Sequence, residues 1–265
     1  MLIRINGLET FYQLDGQGDP VVLLHGWGAS SQSLAGIATG LGPCFRVLST
    51  DLPGFGWSQA PPVAWGVADY ADHVRQLLDD VRIERAALLG HSFGGRIAIR
   101  LASRHPERVA RLILVASAGV RPRRGPRYYA RVAIAKLLRR VAALPGLEGV
   151  GRRLVSRWQA KVGSRDYLAA GRLRPTLAKV VNEDLTPTLG SIRAPTLLLW
   201  GDQDQEVRRP AMEVMAARIP GARLHVFPGA GHFPFQDAPE AFCRAVREFL
   251  QAEGRSTTAA GEARG

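Results

Sequence analysis

A serine hydroxyl is a weak nucleophile near neutral pH. It becomes effective when a general base takes its proton and a third group orients that base. This chain holds a candidate for each part. Ser92 stands in Gly90-His91-Ser92-Phe93-Gly94, a G-x-S-x-G between an apolar run and a helical pattern. A serine on so sharp a strand-to-helix turn is held in a strained conformation with its hydroxyl projecting over the strand ends, and the flanking glycines relieve crowding. Downstream, "LLLWGDQDQEV" places Asp202 and Asp204 just after another apolar run, and "PGAGHFPFQDAPEAF" places His232 in a glycine-rich loop. Of the six histidines, His232 is the best candidate for the base. His105 reads as a solvated helix end, and His73 and His225 as surface or partly buried positions. Either aspartate fits as the orienting acid on residue type alone. His25-Gly26-Trp27-Gly28 ends a further apolar run. A tight turn at Gly26 aims the N–H of Trp27 above Ser92, beside the N–H of Phe93. Two such donors would hold the oxyanion of a tetrahedral intermediate, where losing one typically costs ~3–4 kcal/mol of barrier.

These residues need strands to carry them. "PVVLLHG", "FRVLST", "AALLG", "RLILVAS", "PTLLLWG" and "ARLHVF" are short continuous apolar runs, as in strands buried on both faces. "LIRINGLETFYQLDG" reads as a hairpin turning at Asn6-Gly7. Helical patterns cover Asp69 to Val81, Gly94 to Arg104, Pro210 to Arg218 and Pro239 to Leu250. Strands alternating with helices predict an α/β fold with a mostly parallel sheet flanked by helices. The alternation stops between 121 and 190, where helical patterns are broken at "LPGLEG" and "RLRPT". The expected organisation is therefore a core of 1–120 and 191–250, a helical cap inserted at 121–190, and a disordered tail at 251–265.

Composition excludes several classes. No apolar run approaches membrane-spanning length, and the N-terminus lacks the sections of a signal peptide, so a cytoplasmic location is expected. Cys44 and Cys243 are the only cysteines. They are too few for a disulfide scaffold or a zinc cage, and buried reduced thiols are expected. The net charge of +12 is unevenly spread. Arg121 to Arg193 holds fourteen arginines and three lysines against four acids, so that one segment carries the whole excess. Within it, from Val120 to Arg140, eight of twenty-one residues are basic.

Taken in order, "HGWG", "DLPGFGWS", "GHSFGG", "WGDQDQEV" and "GAGHFPF" resemble the alpha/beta-hydrolase family, in its branch with a helical cap after the sixth strand. The resemblance runs from about Leu2 to Leu250. It implies Ser92 as nucleophile, His232 as base and acid, Asp204 rather than Asp202 as orienting acid, Trp27 and Phe93 as oxyanion donors, and no metal or organic cofactor. Asp51 matches a position that is usually structural. Haloalkane dehalogenases and epoxide hydrolases of this fold carry aspartate where Ser92 stands. Carbon–carbon hydrolases of ring-fission products usually have a longer glycine-rich oxyanion loop and a Trp after the catalytic His, where this chain has "GWGAS" and Phe233. The implied activity is a carboxylic ester hydrolase for short- to medium-chain esters. Carbon–carbon hydrolysis, perhydrolase or haloperoxidase side chemistry, and a non-catalytic ligand receptor are the alternatives.

The basic segment then opens the cap over the site. A solvated helix face, an acidic carrier protein and an anionic lipid surface are the competing readings. "HGWG" and "FPF" also resemble the methyl ester esterases of pimeloyl carrier protein, which have Trp at the position of His91 and Leu at that of Phe93. No nucleic-acid-binding motif accompanies the charge. Tyr128, Tyr129, Trp158, Tyr167 and Leu173 are expected between cap and sheet. Tyr128, Tyr129 and Trp158, with His25 and Phe233, are the candidate substrate contacts.

Overall fold

The computed structural model describes residues 1–121 and 165–252, with a few isolated residues between them. Tyr128, Tyr129, Trp158, most of the basic segment and 253–265 lie outside the described residues. Eight strands form one sheet: β1 Leu2–Ile5, β2 Leu8–Asp15, β3 Pro20–Leu24, β4 Arg46–Thr50, β5 Ala86–His91, β6 Val109–Val115, β7 Thr196–Gly201 and β8 Arg223–Phe227. Their order is β1-β2-β4-β3-β5-β6-β7-β8. β1 and β2 pair antiparallel, as do β2 and β4, and every pair from β4 to β8 is parallel. The hairpin turns where expected, with Asn6 and Gly7 both at positive φ, 48° and 84°. This is the geometry a two-residue turn needs to match strand twist.

The helices are α1 Ala35–Leu41, α2 Val67–Asp80, α3 Phe93–Arg104, α4 Arg165–Ala169, α5 Arg174–Asn182, α6 Arg209–Arg218, α7 Pro234–Asp237 and α8 Pro239–Gln251. Strand periodicity explains the layers. Val22, Leu24, Leu88, Leu112, Leu114 and Leu198 point to one face, where they meet apolar residues of α2, α3 and α6. Val21, Leu23, Leu89, Ile113, Val115 and Leu199 point to the other, against α1 and α8. Each face buries its own apolar set, so a one-residue slip would exchange them. In α2 the buried Val67, Tyr70, Ala71, Val74, Leu77 and Leu78 keep helical spacing.

Four expectations need correction. β8 is not buried on both faces. Arg223, Leu224, His225 and Val226 are exposed, because the strand is the sheet edge with β7 as its one neighbour. His73 is buried, with Nε2 2.9 Å from Thr10 Oγ1. Cys44 is exposed and Cys243 half-buried, so neither is a core thiol. α1 carries no strong periodicity in "AGIATGL" and was not expected, yet Ile37 and Leu41 bury against α8. Between β6 and β7 the described residues form α4, α5 and short 3-10 turns, with no strand. No described helix is long and apolar enough to cross a membrane.

Candidate active site

Among the described residues, the expected triad and oxyanion residues lie at or just after the carboxyl ends of parallel strands, the edge where open α/β sheets bind ligands. Leu24 of β3 is in register with Gly90 of β5, so the His25 turn and the Ser92 turn lie side by side. Ser92 has φ 49° and ψ −106°, a left-handed conformation costly for a residue with a side chain. Neighbours over-determine it. Ser92 N donates to Val115 O at 3.0 Å, and Ala118 N donates to Ser92 O at 3.1 Å. A Cβ at Gly90 would lie 2.5 Å from Gly94 O, and one at Gly94 would lie 2.1 Å from Leu24 O. The glycines of the pentapeptide are thus required by close backbone approach.

Ser92 precedes the first turn of α3, whose amides have no intrahelical acceptor. Phe93 N is one of them, and Trp27 N also donates to no described residue. Trp27 and Phe93 meet edge to face at 5.3 Å, and both line the cavity that contains Ser92. That cavity has a volume of about 540 Å³. Its remaining wall includes Arg96 and Ala118 from the core, Asp166, Leu177, Val180 and Val181 from the segment after β6, and Glu206 and Val207 after β7. A larger hollow of about 660 Å³ beside β8 is lined by Asp202 and Asp204 but contains no serine.

His232 Nδ1 lies 2.8 Å from Asp204 Oδ2. The other Asp204 oxygen accepts the N–H groups of Glu206 at 2.8 Å and Val207 at 2.9 Å. The Asp204 side chain is wholly buried, so its hydrogen bonds are made out of competition with water. Nδ1 therefore donates, and Nε2 is left as the proton acceptor. Asp202 has a different role. Its Oδ1 accepts Gly229 N at 2.8 Å, tying the turn after β7 to the turn after β8. Gln203 N adds a bond to Ala230 O at 2.9 Å. Asp51 is buried and holds Ser31 N at 2.7 Å and Trp57 N at 2.9 Å, which matches its structural expectation.

Other placements differ from expectation. His25 is fully buried, and both nitrogens are used within the core: Nδ1 bonds Gly26 O at 2.8 Å and Nε2 accepts Leu52 N at 2.9 Å. Burial lowers its pKa to about 4, so it is a neutral brace under the turn and not a substrate contact. Phe233 is 40% exposed and packs on His91 and His232 outside the cavity wall. Tyr128, Tyr129 and Trp158 lie outside the described residues.

Three contributors were missed. His91 is buried, and its Nε2 donates to His232 O at 3.0 Å, setting the height of that loop. Burial, reinforced by nearby His232, lowers its pKa to about 3. Glu206 Oε2 lies 3.3 Å from His232 Nε2. Asp166 reaches the cavity from α4, and burial pushes its carboxyl upward against the opposing pull of His232. The "DQDQEV" loop offered Glu206 as a third acid near His232, but nothing in the spacing told which acids turn inward. Among the described residues no cluster of His, Cys, Asp or Glu could hold a metal ion.

The family profile described as alpha/beta hydrolase fold matches residues 19–239. The chain belongs to the alpha/beta-hydrolase family. Within that family it is 33% identical to a pimeloyl-[acyl-carrier protein] methyl ester esterase of Chromobacterium violaceum, over 93% of this chain and 100% of that one. It is also 33% identical to a 2-hydroxymuconate semialdehyde hydrolase of Pseudomonas putida, over 92% and 91%. Among solved alpha/beta hydrolases, the enol-lactonase from Burkholderia xenovorans superposes with a TM-score of 0.72 at 26% identity, covering 94% of this chain and 99% of that one. Fold and relatives together mark this alpha/beta hydrolase as a hydrolytic enzyme.

Proposed function

We propose that the protein is a carboxylic ester hydrolase working through an acyl-enzyme on Ser92. The observation that carries this reading is the 2.8 Å contact between His232 and buried Asp204, in loops on the same sheet edge as the strained Ser92. In the mechanism, Ser92 Oγ attacks the ester carbonyl as His232 Nε2 takes its proton. The N–H groups of Trp27 and Phe93 receive the oxyanion. Asp204 holds the imidazolium, and the alcohol leaves with the proton returned by His232. Water then attacks the acyl-enzyme with His232 again as base, which releases the acid and restores Ser92. Glu206, next to Nε2, adds a weak, solvent-screened attraction for the imidazolium.

The segment 121–190 acts in this reading as a cap, which is supported by its contribution of Asp166, Leu177, Val180 and Val181 to the cavity wall. Its basic part would attract an acidic acyl carrier, and the full-length match to a carrier-protein methyl ester esterase favours that partner over a lipid surface. The match to a semialdehyde hydrolase makes carbon–carbon hydrolysis the second reading.

The test is hydrolysis of p-nitrophenyl esters from acetate to palmitate, with Ser92→Ala alongside. Turnover is expected to peak at short or medium chains and to fall at least ~10⁴-fold in the variant, with its melting temperature kept. No turnover of any ester, or a variant that keeps it, overturns the assignment. Turnover of a ring-fission diketone in place of esters would establish the second reading.

A further inference from the structure

Among the described residues that line this cavity Arg96 is the one cation, and the ester mechanism does not use it. Its side chain lines the same wall as Ser92, Trp27 and Phe93, and the residue is only 6% exposed. A guanidinium so far from water is costly unless a carboxylate or several acceptors compensate it. Arg96 has one acceptor, Glu183 O, 2.9 Å from Nη1, and no ion pair among the described residues.

The two acids nearest in charge, Glu183 and Asp184, are committed elsewhere. The Glu183 carboxylate pairs with Arg100 and accepts Val67 N at 3.2 Å. The Asp184 carboxylate accepts Thr186 N at 3.0 Å and Thr186 Oγ1 at 2.6 Å, closing its own turn. Two further carboxylates line the cavity, and neither is paired with Arg96. Glu206 sits against His232 Nε2, and Asp166 enters from α4. The cavity thus carries a cation on α3 and a carboxylate, Glu206, beside His232, with apolar Leu177, Val180 and Val181 also in its wall.

The geometry points to Arg96 as the anchor for a free carboxylate on the substrate, so that the preferred substrates are monoesters of short dicarboxylic acids. This inference rests on the ester-hydrolase reading and narrows its substrate class. Arg96 lies in the first turn of α3, directly after the Ser92 turn, and both residues line the same cavity. An ester carbonyl over Ser92 therefore leaves a short chain to span before its second carboxyl meets the guanidinium. A planar carboxylate fits that fork in a bidentate way. A singly charged group is favoured over a phosphate dianion because Asp166 and Glu206 share the space.

The test separates binding from turnover. Ser92→Ala protein is titrated by calorimetry with monoethyl glutarate and with ethyl pentanoate, its uncharged counterpart. The anionic ester is expected to bind at least tenfold more tightly. In the wild-type background, Arg96→Gln is expected to lower kcat/KM for monoethyl glutarate about 100-fold and to change that for ethyl pentanoate by less than about threefold. Arg96→Lys should restore part of the loss. Equal binding of the two esters by Ser92→Ala overturns the proposal, even if Arg96→Gln does not fold. Equal losses on both esters would also overturn it, making Arg96 a support for the Glu183 carbonyl. Selective binding without turnover of either ester would keep the anchor and defeat the hydrolase reading instead.

Discussion

Two regions meet at the cavity, and they are built differently. The core wall is tied by hydrogen bonds from buried polar groups: His25 to Leu52, His91 to the His232 carbonyl, Asp204 to two amides. The wall from the segment after β6 turns apolar Leu177, Val180 and Val181 to the cavity, and its hydrogen bonds lie away from them: Glu183 to Val67 and Arg100, Thr176 to Trp65, Lys179 to the Ala64 carbonyl. Directional bonds fix atoms to within tenths of an ångström, as proton transfer requires. Apolar packing fixes a surface but tolerates exchange of shape. In the proposed reading the core sets the reaction, and the second wall sorts substrates.

Substitutions can break that contrast. The largest effect is expected at the core: Asp204→Asn should lower kcat by ~10³–10⁴-fold while Asp202→Asn stays within about tenfold, measured on one short ester. Comparable losses would mean that the acid is not Asp204 alone.

Acid should attack the core next. His25 and His73 have pKa values lowered to about 4, and His91 to about 3, all chiefly by burial. The unfolded chain takes up these protons near pH 6.5 and the folded protein does not. Stability is therefore full above that pH, falls as pH drops toward 4, and levels off below the folded values. The loss is on the order of 3 kcal/mol for each histidine, read as a falling melting temperature. A flat profile from pH 7 to 4 would contradict the buried neutral histidines.

Glu183→Gln should cost only about 1–2 kcal/mol in a denaturant titration, because it loosens one wall and leaves the core intact. Its effect on KM should exceed that on kcat. The smallest effect is expected at exposed Glu206, where Gln should change kcat/KM by less than about tenfold.

The same contrast explains what could be read from sequence. β3, β5, β6 and β7 are legible because both faces of each are buried, which leaves continuous apolar runs. Ser92 is legible because close approach forces glycine at 90 and 94. Asp202 and Asp204 are not separable by type, since both accept backbone amides; Asp204 is the one held by Val207 N, whose carbonyl the Trp200 indole in turn holds. His25 misleads because a motif histidine at a strand end looks like a ligand contact until Leu52, twenty-seven residues away, takes its nitrogen. Arg96 reads as one more polar position on α3. Its meaning depends on Glu183, eighty-seven residues later, offering it a carbonyl and not its carboxylate.

The edge strand β8 has a consequence for how this enzyme could change over time. His232 hangs from the loop after β8, whose outward residues are open to water and touch nothing in the cavity. Substitution there is cheap for folding, yet it shifts the platform from which His232, the proposed base, is aimed. Turnover can thus be adjusted from the rim of the sheet, by drift at positions that never meet a substrate, while the sorting wall across the cavity evolves on its own.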